Sequence, residues 1–350
     1  MHVFICQKCG NMLHFENSTC LNCGTSLGFL PESLTLSAID RQADGSLSAV
    51  AAPNAMYKPC GNATVAHCNW LVRADSEETF CAACRLNRTI PDLSVAGNDE
   101  RWQSIEEAKR RLIYALKRLN LPLTSRLNDQ ENGLAFDFLA DKPNDPAMTG
   151  HADGLVTINI SEADSAERER RRIELGEPYR TMLGHLRHEV GHYYWDVLVR
   201  DGGKLDAARA VFGDERASYS EALKRHYENG APAGWESAYV SAYATMHPWE
   251  DFAETWTHYL HMADTLDTAA SFGLAIDPVA TDDEEVNTEV AFDPYTEPRF
   301  QRMVDAWIPL TVAVNSLNRS MGQRDLYPFV LSDPAIAKLG FIHDLVRGAL

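Results

Sequence analysis

Two histidines four residues apart enclose a glutamate in the segment His188-Glu189-Val190-Gly191-His192. On a helix, residues four apart face the same side, so both imidazoles can bind one cation while Glu189 lies beside them. This arrangement is typical of zinc hydrolases, in which the metal lowers the pKa of a bound water from about 15.7 to near 7 and a glutamate accepts the proton. A bare HExxH pattern also occurs by chance, so further ligands are needed to decide.

A second helical run, from Trp249 to Met262, contains neither proline nor glycine and places Glu250 and Glu254 one turn apart on one face. A catalytic zinc site usually has three protein ligands and one open position for water, and two histidines with one glutamate form a common set. We therefore predict Glu250 as the third ligand, with Glu254 accepting a hydrogen bond from a liganding histidine. Sequence spacing shows which side of the helix faces the metal better than it shows which carboxylate oxygen binds it. Asp251 and Glu254 therefore remain alternative ligands.

The two histidines must be held on a packed helix. Pro178 suits the first turn of that helix, and Gly202 and Gly203 supply a stop after Arg200. Gly191 costs about 1 kcal/mol relative to alanine inside a helix, which predicts the close approach of another backbone near the metal. Four more histidines near these helices could each orient a ligand, or lie in the core or at the surface: His185, His247, His258 and His261.

The eight cysteines form two groups near the N-terminus. Two Cys-x-x-Cys pairs, each followed by glycine, are typical of a four-thiolate structural zinc site in a zinc ribbon: Cys6, Cys9, Cys20 and Cys23. The remaining four cysteines have looser spacing and end in another Cys-x-x-Cys pair, which predicts a second closed zinc site: Cys60, Cys68, Cys81 and Cys84, with His67 as a possible substitute ligand. In so short a ribbon, the metal would provide most of the folding free energy.

Charge and the N-terminal residues restrict the partners and the compartment. A disulfide framework would need an oxidising compartment, but Met-His-Val-Phe-Ile-Cys lacks the basic start and apolar core of a secretion signal, so we expect a cytoplasmic protein. Thirty-two Lys and Arg against fifty Asp and Glu give a net charge of -18, which argues against nucleic acid. The locally basic segment 100–126 is interpreted as the solvated face of a helix. No apolar run approaches the roughly 18 to 20 residues of a membrane span.

The motifs carry a resemblance to known peptidases. HExxH followed by a helix with Glu-x-x-x-Glu resembles the gluzincin metallopeptidases, and ATMHPWEDFAETW is similar in layout to the lethal-factor type, which has a tyrosine seven residues before the liganding glutamate. Tyr243 occupies that position here. The resemblance implies that Tyr243 donates a hydrogen bond to the oxyanion of the tetrahedral intermediate. The alternative is a buried tyrosine that needs only some hydrogen-bond partner.

The whole chain is similar to a family of bacterial zinc-binding metallopeptidases that carry an N-terminal zinc-ribbon region. The resemblance rests on the cysteine pairs together with HEVGHYYWDVL and HPWEDFAETWTHYLH. It implies an α+β fold: a mainly helical zincin-like domain with a small sheet, preceded by small cysteine-rich zinc modules. The predicted domains are a zinc ribbon (1–30), a linker with the second four-cysteine zinc module (31–97) and the zincin-like metallopeptidase domain (98–350).

Three segments outside the motifs receive a structural prediction. Residues 28–56 are rich in Ser, Ala, Gly and Pro and are interpreted as a connector. Residues 154–160 alternate as a strand does. By resemblance to zincins this strand would be the sheet edge that pairs with an extended substrate, the alternative being an ordinary core strand. Residues 201–236 are predicted to cover or shape the cleft.

The predicted function is zinc-dependent hydrolysis of peptide bonds, with Glu189 as general base, one catalytic zinc ion and two structural zinc ions. The expected substrate is a peptide or protein, and the cysteine modules are structural or bind a protein partner. Two alternatives stay open at this point. One is a catalytically inactive adaptor that uses the zinc modules to bind other proteins. The other is a zinc hydrolase acting on a non-peptide substrate, because the same site polarises other carbonyl groups.

Overall fold

The computed structural model describes residues 2–142, 147–174, 180–281, 283 and 286–350. The chain divides into two compact units, Met1–Glu167 and Arg168–Leu350. Helices and sheets both contribute to the fold, which confirms the α+β prediction. The domain limits at residues 30 and 97 stay predictions.

The first unit begins with a hairpin and a five-stranded antiparallel sheet. Strands β1 and β2 form the hairpin, in which Phe4 pairs with Leu13. The sheet has the order β3-β4-β5-β6-β7, and a parallel bridge from Phe29 to Trp70 brings its last part back to its first strand. The bounds are β1 Phe4–Ile5, β2 Met12–Leu13, β3 Leu27–Leu30, β4 Thr35–Arg41, β5 Leu47–Ala49, β6 Ala52–Pro59 and β7 Leu71–Arg73.

The connector predicted over residues 28–56 is wrong, because most of this segment is built into the five-stranded sheet. Small polar residues and turn formers dominate its composition, but apolar residues at separated positions bury one side of the sheet. That core includes Leu30, Ile39, Leu47, Ala49 and Tyr57. Amino-acid composition alone therefore did not predict these strands, which are recognised from the residues that the structure buries.

The second sheet of this unit has four strands in the order β10-β11-β9-β8 and is accompanied by helix α1. Their bounds are β8 Asn87–Thr89, α1 Asn98–Arg118, β9 Ala135–Leu139, β10 Gly150–Ala152 and β11 Leu155–Asn159. Strand β11 pairs in parallel with β9 and in antiparallel orientation with β10. The interpretation of residues 154–160 as a sheet edge is therefore wrong, and the alternative of an ordinary core strand is correct. Alternation of apolar residues reports a buried face and carries no information on how many neighbours a strand has.

The described residues of the second unit form helices and one short hairpin. The helices are α2 Ser165–Glu174, which crosses the boundary between the units, α3 Met182–Tyr194, α4 Leu205–Phe212, α5 Tyr219–Asn229, α6 Pro248–Ser271, α7 Phe300–Ser320 and α8 Asp333–Val346. A π-helical turn, Trp195–Arg200, continues α3, and the hairpin consists of β12 Ala275–Ile276 and β13 Thr288–Glu289. Among the described residues, none of the helices is long and apolar enough to cross a membrane.

Helices α3 and α6 pack against each other and carry the two sequence motifs. A Cβ atom placed on Gly191 would lie 3.1 Å from the Cα atom of Ala253, so the two backbones approach closely, as the sequence predicted. The hydroxyl of Thr181 caps α3 by accepting a hydrogen bond from the Gly184 N–H (3.0 Å). The predicted first turn at Pro178 lies outside the described residues.

Candidate metal centres

Three side chains from α3 and α6 converge on one point. The Nε2 atoms of His188 and His192 are 3.2 Å apart, and Oε2 of Glu250 lies 2.9 Å from the first and 3.4 Å from the second. Ligand atoms at 2.0 to 2.1 Å from a tetrahedral zinc ion are about 3.3 Å from one another. The three atoms therefore have the mutual spacing of zinc ligands, and all three side chains are largely buried.

Glu254 lies on the outer side of His188. Its Oε1 accepts a hydrogen bond from Nδ1 of His188 (2.7 Å), and its Oε2 accepts one from the Ser241 hydroxyl (2.6 Å). The Ser241 oxygen in turn accepts from the Ala244 N–H (3.1 Å). With Nδ1 committed to Glu254, Nε2 of His188 is the ring nitrogen that faces His192 and Glu250.

The electrostatics of this cluster favour positive charge. Burial alone would lower the pKa of His188, but the carboxylates of Glu250 and Glu254 raise it well above its ordinary value. Burial likewise opposes ionisation of Glu250, yet His192 and His188 hold the pKa of this carboxyl well below its usual range. A buried carboxylate in contact with two imidazoles is a donor set that fits a divalent cation.

Glu189 is ionised beside the cluster. Its Oε1 accepts a hydrogen bond from Nε2 of His185 (3.1 Å). Burial would raise the pKa of Glu189, but His185, His188 and His192 together lower it. The carboxylate can therefore accept a proton at neutral pH.

Aromatic side chains border the site. The ring of Tyr243 lies 5.9 Å from that of His188, and the ring of Trp249 lies 3.7 Å from that of His192. Tyr219, at the start of α5, donates a hydrogen bond to Oε1 of Glu250 (2.8 Å). Burial and the Glu250 carboxylate raise the pKa of both tyrosines, so both phenols stay protonated and can donate.

The structure separates the acidic residues that the sequence left as alternatives. Asp251 does not belong to the cluster of three ligand atoms, and its Oδ2 accepts a hydrogen bond from Nζ of Lys338 on α8 (2.6 Å). Burial raises the pKa of Asp251 to about 7, against the effect of Lys338. The four additional histidines have separate partners: His185 with Glu189, His247 with the Ala217 carbonyl, His258 with the Tyr327 hydroxyl and His261 with Arg187.

The sequence analysis did not identify Tyr219, Ser241 or Trp249. Trp249 directly precedes Glu250, but a tryptophan is as easily explained as a core residue, so its type alone did not mark it as part of the site. Tyr219 and Ser241 lie in segments joined to α6 by turns and short helices. Only the prediction that residues 201–236 shape the cleft pointed toward Tyr219.

Both cysteine groups gather into compact clusters. In the first cluster, the Sγ atoms of Cys6 and Cys23 are 3.8 Å apart and those of Cys9 and Cys20 are 3.6 Å apart. Thiolates at 2.3 Å from a tetrahedral zinc ion are about 3.8 Å from one another. The four sulfur atoms therefore fit one zinc ion.

In the second cluster, Cys68 lies 3.7 Å from both Cys81 and Cys84, sulfur to sulfur, and Cys60 completes the group. All four of these cysteines are buried, and the group does not include His67. The spacing again fits one zinc ion held by four thiolates.

A buried ion pair lies beside this second cluster. Oε2 of Glu106 is 3.7 Å from the Cys84 sulfur, and Nζ of Lys109 is 2.6 Å from Oε1 of Glu106. Both charged side chains come from α1 and are inaccessible to solvent. The prediction that the basic residues of segment 100–126 form a solvated face is therefore wrong for Lys109, which neutralises a carboxylate in the core, and for Arg110, which is also buried.

Comparisons with known proteins agree with the two kinds of metal centre. The family described as "Putative zinc-binding metallo-peptidase" matches residues 98–345, and a zinc-ribbon domain matches residues 3–95. The chain therefore belongs to this zinc-binding metallopeptidase family and carries an N-terminal zinc-ribbon domain, as the resemblance implied.

Relatives at 43% identity occur in Mycobacterium bovis and in the CDC 1551 and H37Rv strains of Mycobacterium tuberculosis. The similarity extends over 350 residues, 99% of this chain and 95% of each relative, and the names of these relatives describe them as uncharacterized. No solved structure gives a significant match.

Proposed function

We propose that the protein is a zinc-dependent peptidase in which His188, His192 and Glu250 hold the catalytic ion and Glu189 is the general base. The observation that carries this proposal is the meeting of three ligand atoms at tetrahedral spacing beside an ionised glutamate. The family description supports a peptide bond as the target. A non-peptide carbonyl substrate and an inactive adaptor have no observation of their own in their favour.

When bound, zinc supplies a water molecule of lowered pKa and polarises the substrate carbonyl. Glu189 accepts a proton from the attacking water as the new C–O bond forms, and then delivers this proton to the departing amine nitrogen as the C–N bond breaks. His185 holds Glu189 through the hydrogen bond to Oε1. Tyr243 donates a hydrogen bond to the carbonyl oxygen as it gains negative charge.

The two cysteine clusters hold structural zinc in this proposal. Neither cluster offers an open position, because four thiolates complete the tetrahedral set. The protein then contains one ion bound by His188, His192 and Glu250 and one ion in each thiolate cluster. The ribbon region is the candidate surface for a protein partner.

Metal analysis combined with a peptide assay tests the proposal. We expect three zinc ions per chain and hydrolysis of a mixed peptide library. A mild chelator should remove one ion first, and this removal should abolish hydrolysis without loss of fold. Restoring zinc should restore cleavage. A chain with two ions and no labile site, or with a full complement of zinc and no cleavage of peptides, would support the adaptor.

A further inference from the structure

The two oxygens of Glu250 have different partners. Oε2 faces the Nε2 atoms of His188 and His192 at 2.9 and 3.4 Å. Oε1 accepts the hydrogen bond from the Tyr219 hydroxyl at 2.8 Å. Only one oxygen of this carboxylate is therefore directed to the point where the histidines meet.

Tyr219 is held in place by contacts to the start of α6, the helix that carries Glu250. His247 caps α6, since its Nδ1 accepts the Trp249 N–H (3.1 Å), and its Nε2 donates to the carbonyl of Ala217 (3.0 Å), two residues before Tyr219. The Tyr219 ring also lies edge-on to the rings of His247 (5.5 Å) and Trp249 (5.8 Å). The phenol is thus tied to the same turn as the carboxylate that it contacts.

A carboxylate can bind a metal ion through one oxygen or through both, and the choice changes the number of positions left for water and substrate. A hydrogen bond to Oε1 uses a lone pair of that oxygen and fixes the carboxylate plane. Such contacts to a ligand orient it and tune the metal. A partner of Oε1 can therefore influence whether Glu250 binds a metal ion through one oxygen or both.

We propose that Tyr219 is a positioning residue that restricts Glu250 to coordination through Oε2 alone and so keeps one coordination position of the ion open. The proposal rests on the proposed function, because it concerns the ion held by His188, His192 and Glu250. It assigns different roles to two tyrosines: Tyr219 acts on the ligand, whereas Tyr243 lies against the ring of His188.

The test uses the full-length chain with Tyr219→Phe. A mild chelator removes the labile ion while both thiolate clusters stay loaded, and Co²⁺ is then added as a spectroscopic probe. Wild type should give the intense visible absorption of a four-coordinate Co²⁺ site, and Tyr219→Phe the weaker absorption of a five-coordinate site. Affinity for zinc, measured by competition with a chelator, should fall about 10- to 100-fold. Tyr227→Phe, at an exposed tyrosine on the same helix, is the matched control and should keep the four-coordinate spectrum.

Identical Co²⁺ spectra for wild type and Tyr219→Phe would overturn the role of Tyr219. Failure of wild type to take up Co²⁺ at this site would instead overturn the proposed function, so the two failures are distinct. Tyr219 is 36% exposed, and circular dichroism of the variant checks that it folds. X-ray absorption at the cobalt edge of wild type needs no variant: a site with both Glu250 oxygens bound would also end the proposal.

Discussion

Nδ1 of His188 on α3 lies 2.7 Å from Oε1 of Glu254 on α6, so the candidate ligand histidine and its acceptor come from different helices. The second oxygen of Glu254 is held by Ser241. At the candidate metal centre, the orientation of the His188 ring is therefore set by the packing of α3 against α6 and by a hydroxyl from the segment before α6. Substitution of Glu254 or Ser241 can therefore test the hydrogen bond to His188 without changing the three candidate ligands.

Glu254→Ala should weaken zinc binding at the labile site by about 10- to 100-fold, because His188 loses the acceptor that orients it. Ser241→Ala removes only the support of Glu254 and should have a smaller effect in the same direction. Competition with a chelator of known affinity measures both. Zinc binding of wild-type strength in Glu254→Ala would show that helix packing alone orients His188.

Glu189→Gln should leave the zinc content unchanged and lower the turnover number by about 100- to 10,000-fold, because the amide cannot accept the proton of the attacking water. Peptide hydrolysis and elemental analysis of the same preparation measure both quantities. Glu228→Gln, an exposed position on α5, is the matched control and should keep wild-type turnover. Turnover retained in Glu189→Gln would remove this residue from the mechanism.

Gly191→Ala should destabilise the protein by about 1 to 3 kcal/mol, because the new methyl group would meet the backbone of Ala253 at 3.1 Å. Alanine is normally favoured over glycine within a helix by about 1 kcal/mol, so the sign of the effect is diagnostic.

Gly340→Ala on α8 is the control for this substitution, since its nearest contact is the ring of Phe300 at 3.3 Å, a side chain that can move. Thermal unfolding compares the two variants. A Gly191→Ala protein as stable as Gly340→Ala would contradict the close approach of α3 and α6.

Stability should fall as the pH drops from about 6.5 toward 4, in part because of His258. Burial lowers the pKa of His258 to about 4 from its ordinary value of 6.5, although Glu254 opposes this effect. Between these values the unfolded chain binds a proton that the folded chain does not, so acidification favours unfolding.

His258→Gln removes this titration, so its unfolding midpoint should depend less on pH than that of wild type. Denaturant unfolding after a mild chelator has removed the labile ion, at pH of about 7.5 and about 5, isolates the effect from loss of that ion. Substitution of the exposed His14 by glutamine serves as the control. Equal pH dependence in wild type and His258→Gln would refute the assignment.

Local periodicity explains which parts of the site could be predicted. The spacing of His188 and His192, and of Glu250 and Glu254, fixes a helix face directly, and the structure brings these faces together. The choice among Glu250, Asp251 and Glu254 needed the direction of α6 relative to α3, which spacing does not contain. Lys338, which pairs with Asp251, lies far along the chain on another helix.

The errors in the fold have a similar origin. The alternation of residues 154–160 predicted a strand, and β11 is a strand, but its position in the sheet depends on β9 and β10. Neither the charge nor the apolar spacing of α1 could reveal that Lys109 has a buried carboxylate as its partner. The position of a strand in its sheet and the partner of a buried charge depend on neighbours in the folded structure. The packing of the elements determines these neighbours, and the local sequence pattern does not.

The ammonium group of Lys109 connects the second thiolate cluster to the nearby sheet. Besides Glu106 it contacts the side chain of Asn87 on β8, and it lies 5.5 and 5.3 Å from the ring centres of Phe136 and Phe138 on β9. Loss of the zinc ion would leave four buried sulfur atoms beside the Glu106–Lys109 ion pair. This would destabilise strands β8 and β9, which Lys109 contacts, as well as the cluster. We therefore expect this cluster and its sheet to unfold cooperatively when zinc is scarce, and this unfolding to begin far along the chain from the HExxH motif.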